Sequence, residues 1–361
     1  MRVLHVITGL AAGGAETQLR HILRHSATES EVVTLTNAGV VAEALRADGI
    51  GVTDLGMRGN RDLAALPRLA GLIRRGRYDV VHTHLYRAML YGRLAARLAG
   101  TRTVVATEHS LAATTIEGRA QDRPGVRGLY LAAERLGRVT VAVSDHVAAR
   151  LAEWGVAPAR IRVIPNGVDL PTFAFDAQAR DRVRARLGLA PESFVLGTIG
   201  RLAETKRVDV AIRALAALPR AVLVVAGDGP LRTELAELAD RIGVRGRVVF
   251  TGEVADVPGL LSAVDVLLSP STEETFGLAV VEALAAGLPV VYASCPALDD
   301  LPSSAAPLAR RADCTPEAFT AELGALPRAP GRVVPEAARH YDVAGTAAAL
   351  DALYAELAGS R

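Results

Sequence analysis

A single lysine, Lys206, stands among the 41 Lys+Arg residues of this chain. It follows Arg201 by five residues in the loop "GRLAETKRVD" (200–209), directly after the apolar run "FVLGTIG". An arginine fork makes planar bidentate contacts and an ammonium is a compact point charge, so the two together suit a diphosphate. A solvated loop with ordinary charges accounts for the same residues, but the retention of one lysine weighs against it. A second pattern is carboxylate. Glu274 and Glu282 are separated by seven residues in "SPSTEETFGLAVVEALAAGLPVV" (269–291). The stretch predicts a helix opening over 275–278, its N–H groups facing an anion, with Glu282 about two turns further in. One carboxylate can then meet a sugar hydroxyl before the phosphate and the other a ribose beyond it. Gly277 allows close backbone approach. Glu282 interrupts an apolar helix, which is costly unless it is paired or faces a ligand.

Two weaker signals lie in the first half. "TGLAAGGAETQL" (8–19) places Gly13 and Gly14 between a strand and a helix, where N–H groups approach an anion. It does not match G-x-G-x-x-G, and on this stretch alone a plain strand-to-helix turn is the favoured reading. His109, in "ATEHS", ends another strand and is open to a structural or a site role. His82 and His84, in "HTH", are lesser candidates, and H-x-H without further ligands is poor evidence for a metal. No D-x-D cluster is present to hold a divalent ion on a diphosphate. Charge on a leaving group therefore falls to Arg201, Lys206 and helix dipoles.

These residues need elements that bring them together. Short apolar runs alternate with helical patterns: "RVLHVIT", "EVVTLT", "YDVVHTH", "TVVATEH" and "VTVAVS", then "FVLGTIG", "AVLVVAG", "VVFTG", "VDVLLSP" and "PVVYAS". Uniformly apolar strands between helices indicate parallel sheets covered on both faces. Two such sets in 361 residues predict two doubly wound α/β domains. The hinge falls in "VIPNGVDLPTF" (163–173), giving domains at 1–167 and 168–343. The last helix, about 344–361, is free to pack on either. Residues 1–167 carry 22 Lys+Arg against 14 Asp+Glu, a balance of +8, and residues 168–361 carry 19 against 25, a balance of −6. That asymmetry fits different partners for the halves, or chance. Cys295 and Cys314 are the only cysteines, which excludes a disulfide scaffold and a structural zinc site and fits a reducing cytosol. The amino-terminal apolar run lacks a cleavage site and reads as a buried strand, and no stretch reads as a membrane span.

"GGAE", "VIPNGVD", "GRL…K", "GDGP" and "E-T-F-G-L-x-x-x-E" together resemble the retaining GT-B glycosyltransferases of family GT4, from residue 3 to about 292. The resemblance implies a GT-B fold, two Rossmann-like domains facing each other across a cleft, with the acceptor on the first and a nucleotide sugar on the second. It implies metal-independent, configuration-retaining transfer of a hexose from a nucleotide-diphosphate sugar, UDP or GDP, to a hydroxyl, without a cofactor. By motif position, Gly13 and Gly14 border the diphosphate and acceptor, and Arg201 and Lys206 hold the phosphates. Glu274 matches the residue on the donor sugar, Phe276, Gly277 and Leu278 offer backbone contacts, and Glu282 matches the ribose carboxylate. Val254, in "TGEV", borders the base, and His109 lies near the reacting sugar. His109 and Glu274 enter as the catalytic pair in a positioning and electrostatic sense. Thr275 stands where many members have glycine.

The acceptor is less legible: a small natural product, a lipid carrier or a glycan. Arg119 and Arg123, in "SLAATTIEGRAQDRPGVRG" (110–128), are candidates to bind it. "RGNRDLAALPRLAGLIRRGR" (58–77) sets Leu66, Leu69 and Ile73 at helical spacing among arginines, which suits an anionic lipid surface or a helix buried on one face. No nucleic-acid partner is expected. The expected location is cytoplasmic, free or peripheral at the inner membrane face through the basic first half. Two alternatives remain on the same fold: a nucleotide-sugar epimerase and a non-catalytic nucleotide-sugar-binding protein.

Overall fold

The computed structural model describes residues 1–59, 62–111, 115–117, 119–120, 124–327 and 331–359. Two compact units make up the chain, Met1–Gly167 with Val343–Arg361, and Val168–Asp342.

The main sheet of the first unit contains β1 (Arg2–Ile7), β2 (Glu29–Thr34), β3 (Gly51–Asp54), β4 (Val80–His84) and β5 (Val104–Glu108). A hairpin, β6 (Thr115–Ile116) and β7 (Arg119–Ala120), precedes β8 (Val139–Ala142) and β9 (Ile161–Val163). The main sheet runs β3-β2-β1-β4-β5-β8-β9, and every neighbouring pair is parallel. Its central strands β1, β4, β5 and β8 are almost wholly buried because both faces are covered. Leu4, Val6, Val81 and Val104 pack with Leu69 and Ile73 of the helix Ala65–Gly76 and with Ala88 and Ala95 of the helix Tyr86–Ala99. Val3, Val80, Val105 and Val141 point the other way, onto Leu350, Leu353 and Leu357 of the helix Val343–Gly359. The apolar stripe of helix Ala65–Gly76 is thus taken up by the core.

The period of two along a strand carries a consequence for polar residues. His5, His82, His84 and Thr107 share the parity of Val3, Val80 and Val105, so they lie under the carboxy-terminal helix. Tyr354 of that helix shares a 2.6 Å hydrogen bond with His82 Nδ1, and Thr107 Oγ1 lies 2.7 Å from His82 Nε2. Asp351 accepts from Ser26 Oγ and Ala27 N, each at 2.7 Å, which fixes the helix against the turn after Gly14–His25.

The second unit holds β10 (Phe194–Ile199), β11 (Ala221–Ala226), β12 (Val248–Gly252), β13 (Val266–Ser269), β14 (Val290–Tyr292) and β15 (Ala309–Arg311). They form one sheet in the order β12-β11-β10-β13-β14-β15, again parallel throughout. The doubly wound α/β reading holds in both units. Sequence patterning overlooks β3, β9 and β15. Each is a sheet edge of three or four residues, largely exposed, and so lacks the continuous apolar run that marks a central strand.

Removing the Tyr354 hydroxyl leaves His82 Nδ1 buried without its partner. Tyr354→Phe is expected to lower unfolding free energy by about 1–3 kcal/mol in urea with an unchanged m-value. Wild-type stability would show that the bond does not hold the carboxy-terminal helix.

Candidate functional site

The carboxyl ends of parallel strands share one edge of their sheet, and in the second unit that edge carries the charged set. The loop after β10 holds Arg201 and Lys206, and the loop after β13 holds Glu274. Lys206 Nζ and Glu274 Oε1 form a 2.6 Å ion pair, the side chains 30% and 16% exposed. The backbone ties the same loops, because Thr272 N donates to Thr205 O at 2.9 Å. Arg201 is exposed and makes no ion pair among the described residues. A depression beside Lys206 is lined by Thr198, Gly200, Leu202, Ser269 and Ser271.

The "GDGP" turn is the buttress of the lysine loop. Leu202 N donates to Asp228 O at 2.9 Å and Leu231 N to Leu202 O at 3.1 Å. Gly227 lies at φ +125, and a Cβ there would collide with Gly200 O, while one on Gly229 would strike the Leu202 backbone. These contacts admit only glycine.

The helix carrying Glu282 is Leu278–Ala285, with Gly277 as its cap at φ +98. It therefore starts at Leu278, later than the expected opening over 275–278, because the left-handed Gly277 breaks the backbone path. Glu282 then lies one turn in, not two. Phe276 is 2% exposed and packs edge-on against Tyr341, ring centroids 5.1 Å apart. Cys295, absent from the sequence reading of the site, lies under this loop. Its Sγ contacts Phe276 O at 3.5 Å, a Cβ on Gly277 would collide with it, and Ala297 N donates to Phe276 O at 2.9 Å. Only its position before "PALD" could have flagged it. Leu278 and Val254 are half-buried, Val254 just past β12. Burial pushes the Glu282 carboxyl up to about 8, and it has no ion-pair partner among the described residues.

In the first unit, Gly13 caps the helix Gly14–His25 in extended conformation. The carboxylate of Glu16 sits so close that a Cβ on Gly13 would strike it, and burial raises that carboxyl to about 7. The helix end offered to a phosphate by Gly13 and Gly14 thus already carries the chain's own carboxylate. His109 follows β5, and its Nε2 lies 3.2 Å from His84 Nδ1. His84 Nε2 in turn lies 3.1 Å from His5 Nδ1. Leu85, next to His84, takes φ +72 and ψ 152, a conformation that strains a non-glycine residue. Burial lowers His5 to about 3 and His109 to about 4, and drives His82 and His84 down as well. All four rings are neutral at pH 7.

Ring nitrogens of His5, His82 and His84 lie within 4.8 Å of one another. Both nitrogens of His82 and of His84 are already hydrogen-bonded, so a cation would have to break existing links. The donor set does not fit a metal. Arg123 lies outside the described residues, as does the side chain of Arg119, whose backbone forms part of β7. No described helix is long and apolar enough to cross a membrane.

The raised Glu282 carboxyl links the site to stability. A carboxyl protonated up to about pH 8 when folded, and up to about 4.5 when unfolded, contributes stability that is full below 4.5 and lost as pH rises to 8. Glu282→Gln removes that slope. The melting temperature of the variant minus that of the wild type is expected to increase from pH 5 to pH 8, and a difference flat with pH contradicts the burial.

Residues 12–171 match the model "Glycosyltransferase Family 4" and residues 193–326 match "Glycosyl transferases group 1". The chain is 33% identical over 246 residues to the UDP-Gal:alpha-D-GlcNAc-diphosphoundecaprenol alpha-1,3-galactosyltransferase of Escherichia coli, covering 65% of this chain and 62% of that one. It is 32% identical over 308 residues to the D-inositol 3-phosphate glycosyltransferase of Mycobacterium marinum, covering 81% of this chain and 65% of that one. The chain thus spans somewhat under two-thirds of the length of these relatives. Among solved structures, HepE of Anabaena with UDP and glucose superposes over 100% of both chains at TM-score 0.82 and 23% identity. Sucrose-phosphate synthase of Thermosynechococcus elongatus does so over 100% of both at TM-score 0.78 and 18% identity. The fold is of the GT-B class. The two family models together take in most of the chain, and on that match the chain belongs to glycosyltransferase family 4.

Proposed function

We propose that this protein transfers a hexose from a UDP-sugar to a hydroxyl acceptor, with retention of configuration and without a metal. The observation that carries the reading is the 2.6 Å pair of Lys206, the sole lysine, with Glu274 at the carboxyl edge of the second sheet. Lys206 and Arg201 meet the diphosphate and take up charge as it leaves. Glu274, oriented by Lys206, accepts from donor-sugar hydroxyls. Backbone N–H groups at Gly277 and Leu278 face the sugar and phosphate. Glu282 meets the ribose diol, and its tendency to stay protonated suits a hydroxyl pair that can donate and accept. Val254 borders the base. Uridine is supported by the UDP-Gal of the Escherichia coli relative and by the UDP and UDP-glucose held by HepE.

The first unit takes the acceptor. His109 stands beside the reacting sugar as a positioning group, and the oxygen of the departing diphosphate receives the acceptor proton. Both named relatives act on phosphate-bearing acceptors. The +8 balance of residues 1–167 suits an anionic acceptor of that kind, with Arg119 and Arg123 as candidate contacts. A lipid-linked acceptor would bring the protein to the membrane face through its headgroup, since the stripe at Leu69 and Ile73 is spent on the core.

Transfer assays with a UDP-sugar panel test this. Lys206→Ala is expected to lower kcat on the order of 100-fold while the variant stays folded. Lys206→Arg keeps the charge with a different shape, and is expected to recover only part of the rate. Wild-type turnover in Lys206→Ala sinks the donor assignment. Conversion of the nucleotide sugar with no acceptor present would replace transfer by epimerisation.

A further inference from the structure

We infer that His5 and His84 are positioning residues which fix His109 in the tautomer that carries its proton on Nδ1. The observation is an unbroken line of ring nitrogens from the interior of β1, across the end of β4, to the residue after β5. His5 Nδ1 lies 3.1 Å from His84 Nε2, and His84 Nδ1 lies 3.2 Å from His109 Nε2. His5 and His84 are 1% and 2% exposed, which shields the link between them from bulk water.

The direction of such a line is not arbitrary. A neutral imidazole has one N–H and one bare nitrogen, and each link holds one proton. Two arrangements are therefore possible. In one, His109 Nε2–H donates to His84, His84 donates to His5, and His5 keeps its remaining proton on Nε2. In the other, His5 Nδ1–H donates to His84 Nε2, His84 Nδ1–H donates to His109 Nε2, and His109 carries its proton on Nδ1. His5 Nε2 decides between them, because it is buried with no hydrogen-bond partner. Orphaned buried N–H groups are rarer in proteins than orphaned acceptors. The second arrangement leaves only a bare nitrogen there. Burial depresses all three rings, which keeps them neutral and the line intact at physiological pH.

His82 stands apart from this line although its ring centroid is 4.1 Å from that of His84. Its nitrogens are taken by Tyr354 and Thr107. It walls the line and does not extend it.

The consequence for chemistry depends on the transferase reading: His109 presents an N–H donor at Nδ1, so it donates to an oxygen and does not act there as a base. The tautomer itself can be read without substrate or turnover. Long-range proton–nitrogen correlation spectra of the 15N-histidine-labelled full chain near neutral pH distinguish protonated from bare ring nitrogens. The expected result is Nδ1 protonated and Nε2 bare on His5, His84 and His109 alike. Nε2 protonation of His109 overturns the inference, whatever the protein transfers. His84→Phe removes the donor to His109 Nε2, and His109 is expected to shift toward the Nε2–H form. His84→Gln, whose amide donates and accepts, is expected to keep Nδ1 protonated. An unchanged His109 spectrum in His84→Phe also overturns it. In transfer assays His84→Phe should lower kcat roughly 10- to 100-fold at constant donor KM, with much of the loss recovered in His84→Gln. A nitrogen spectrum as expected, combined with no transfer in the wild type, would leave the tautomer standing and remove the transferase reading alone.

Discussion

Parallel pairing is the constraint on which the molecule depends. In each main sheet every adjacent pair of strands runs the same way, so every loop that follows a strand emerges at one edge. Parallel strands need crossover helices, and these bury both faces of the sheet. The faces are thereby mostly apolar, with the histidine cluster and the Arg93–Thr140 bond among the buried exceptions, and charged loop residues gather at the edge. The loops after β10, β11, β12 and β13 all converge there, bringing together Arg201, Lys206, the "GDGP" turn, Val254 and Glu274.

What fixes those loops is backbone and glycine geometry more than charge. The Lys206–Glu274 pair is partly solvated, so its net worth to stability is small. Its value is orientation, since it gives Glu274 one direction and holds a cation beside the Gly200 turn. Rigidity comes from elsewhere: Leu202 stitched to Asp228 and Leu231, Thr272 to Thr205, and Phe276 held over Cys295. Gly227, Gly229 and Gly277 occur where a side chain would strike a neighbouring group. In the first unit the histidine line has the same economy, with side chains of one strand parity meeting under a single helix.

Much of this was readable in the residues. The central strands declared themselves by apolar runs, the lone lysine by its isolation, and Glu282 by its place in an apolar helix. What escaped was whatever depends on register. H-x-H in β4 says nothing of His5 until β1 is seen to lie alongside, with His5 opposite His82. Three of the edge strands, β3, β9 and β15, were too short and too polar to announce themselves. The opening of the Glu282 helix was misplaced because the left-handed Gly277 interrupts a path that periodicity alone continues. Cys295 was invisible as a support because its contact with Phe276 is tertiary. The last helix left its partner open, and the bonds of Asp351 and Tyr354 supply it.

The central claim is that the single lysine meets a nucleoside diphosphate. Because Lys206 is the only lysine, selective lysine labelling yields one side-chain ammonium signal without assignment. Titration of UDP into the labelled protein should move that signal saturably, as a phosphate replaces part of the Glu274 environment. Titration of uridine should leave it in place. A signal that stays still under UDP, at concentrations where UDP raises the melting temperature, would contradict the account.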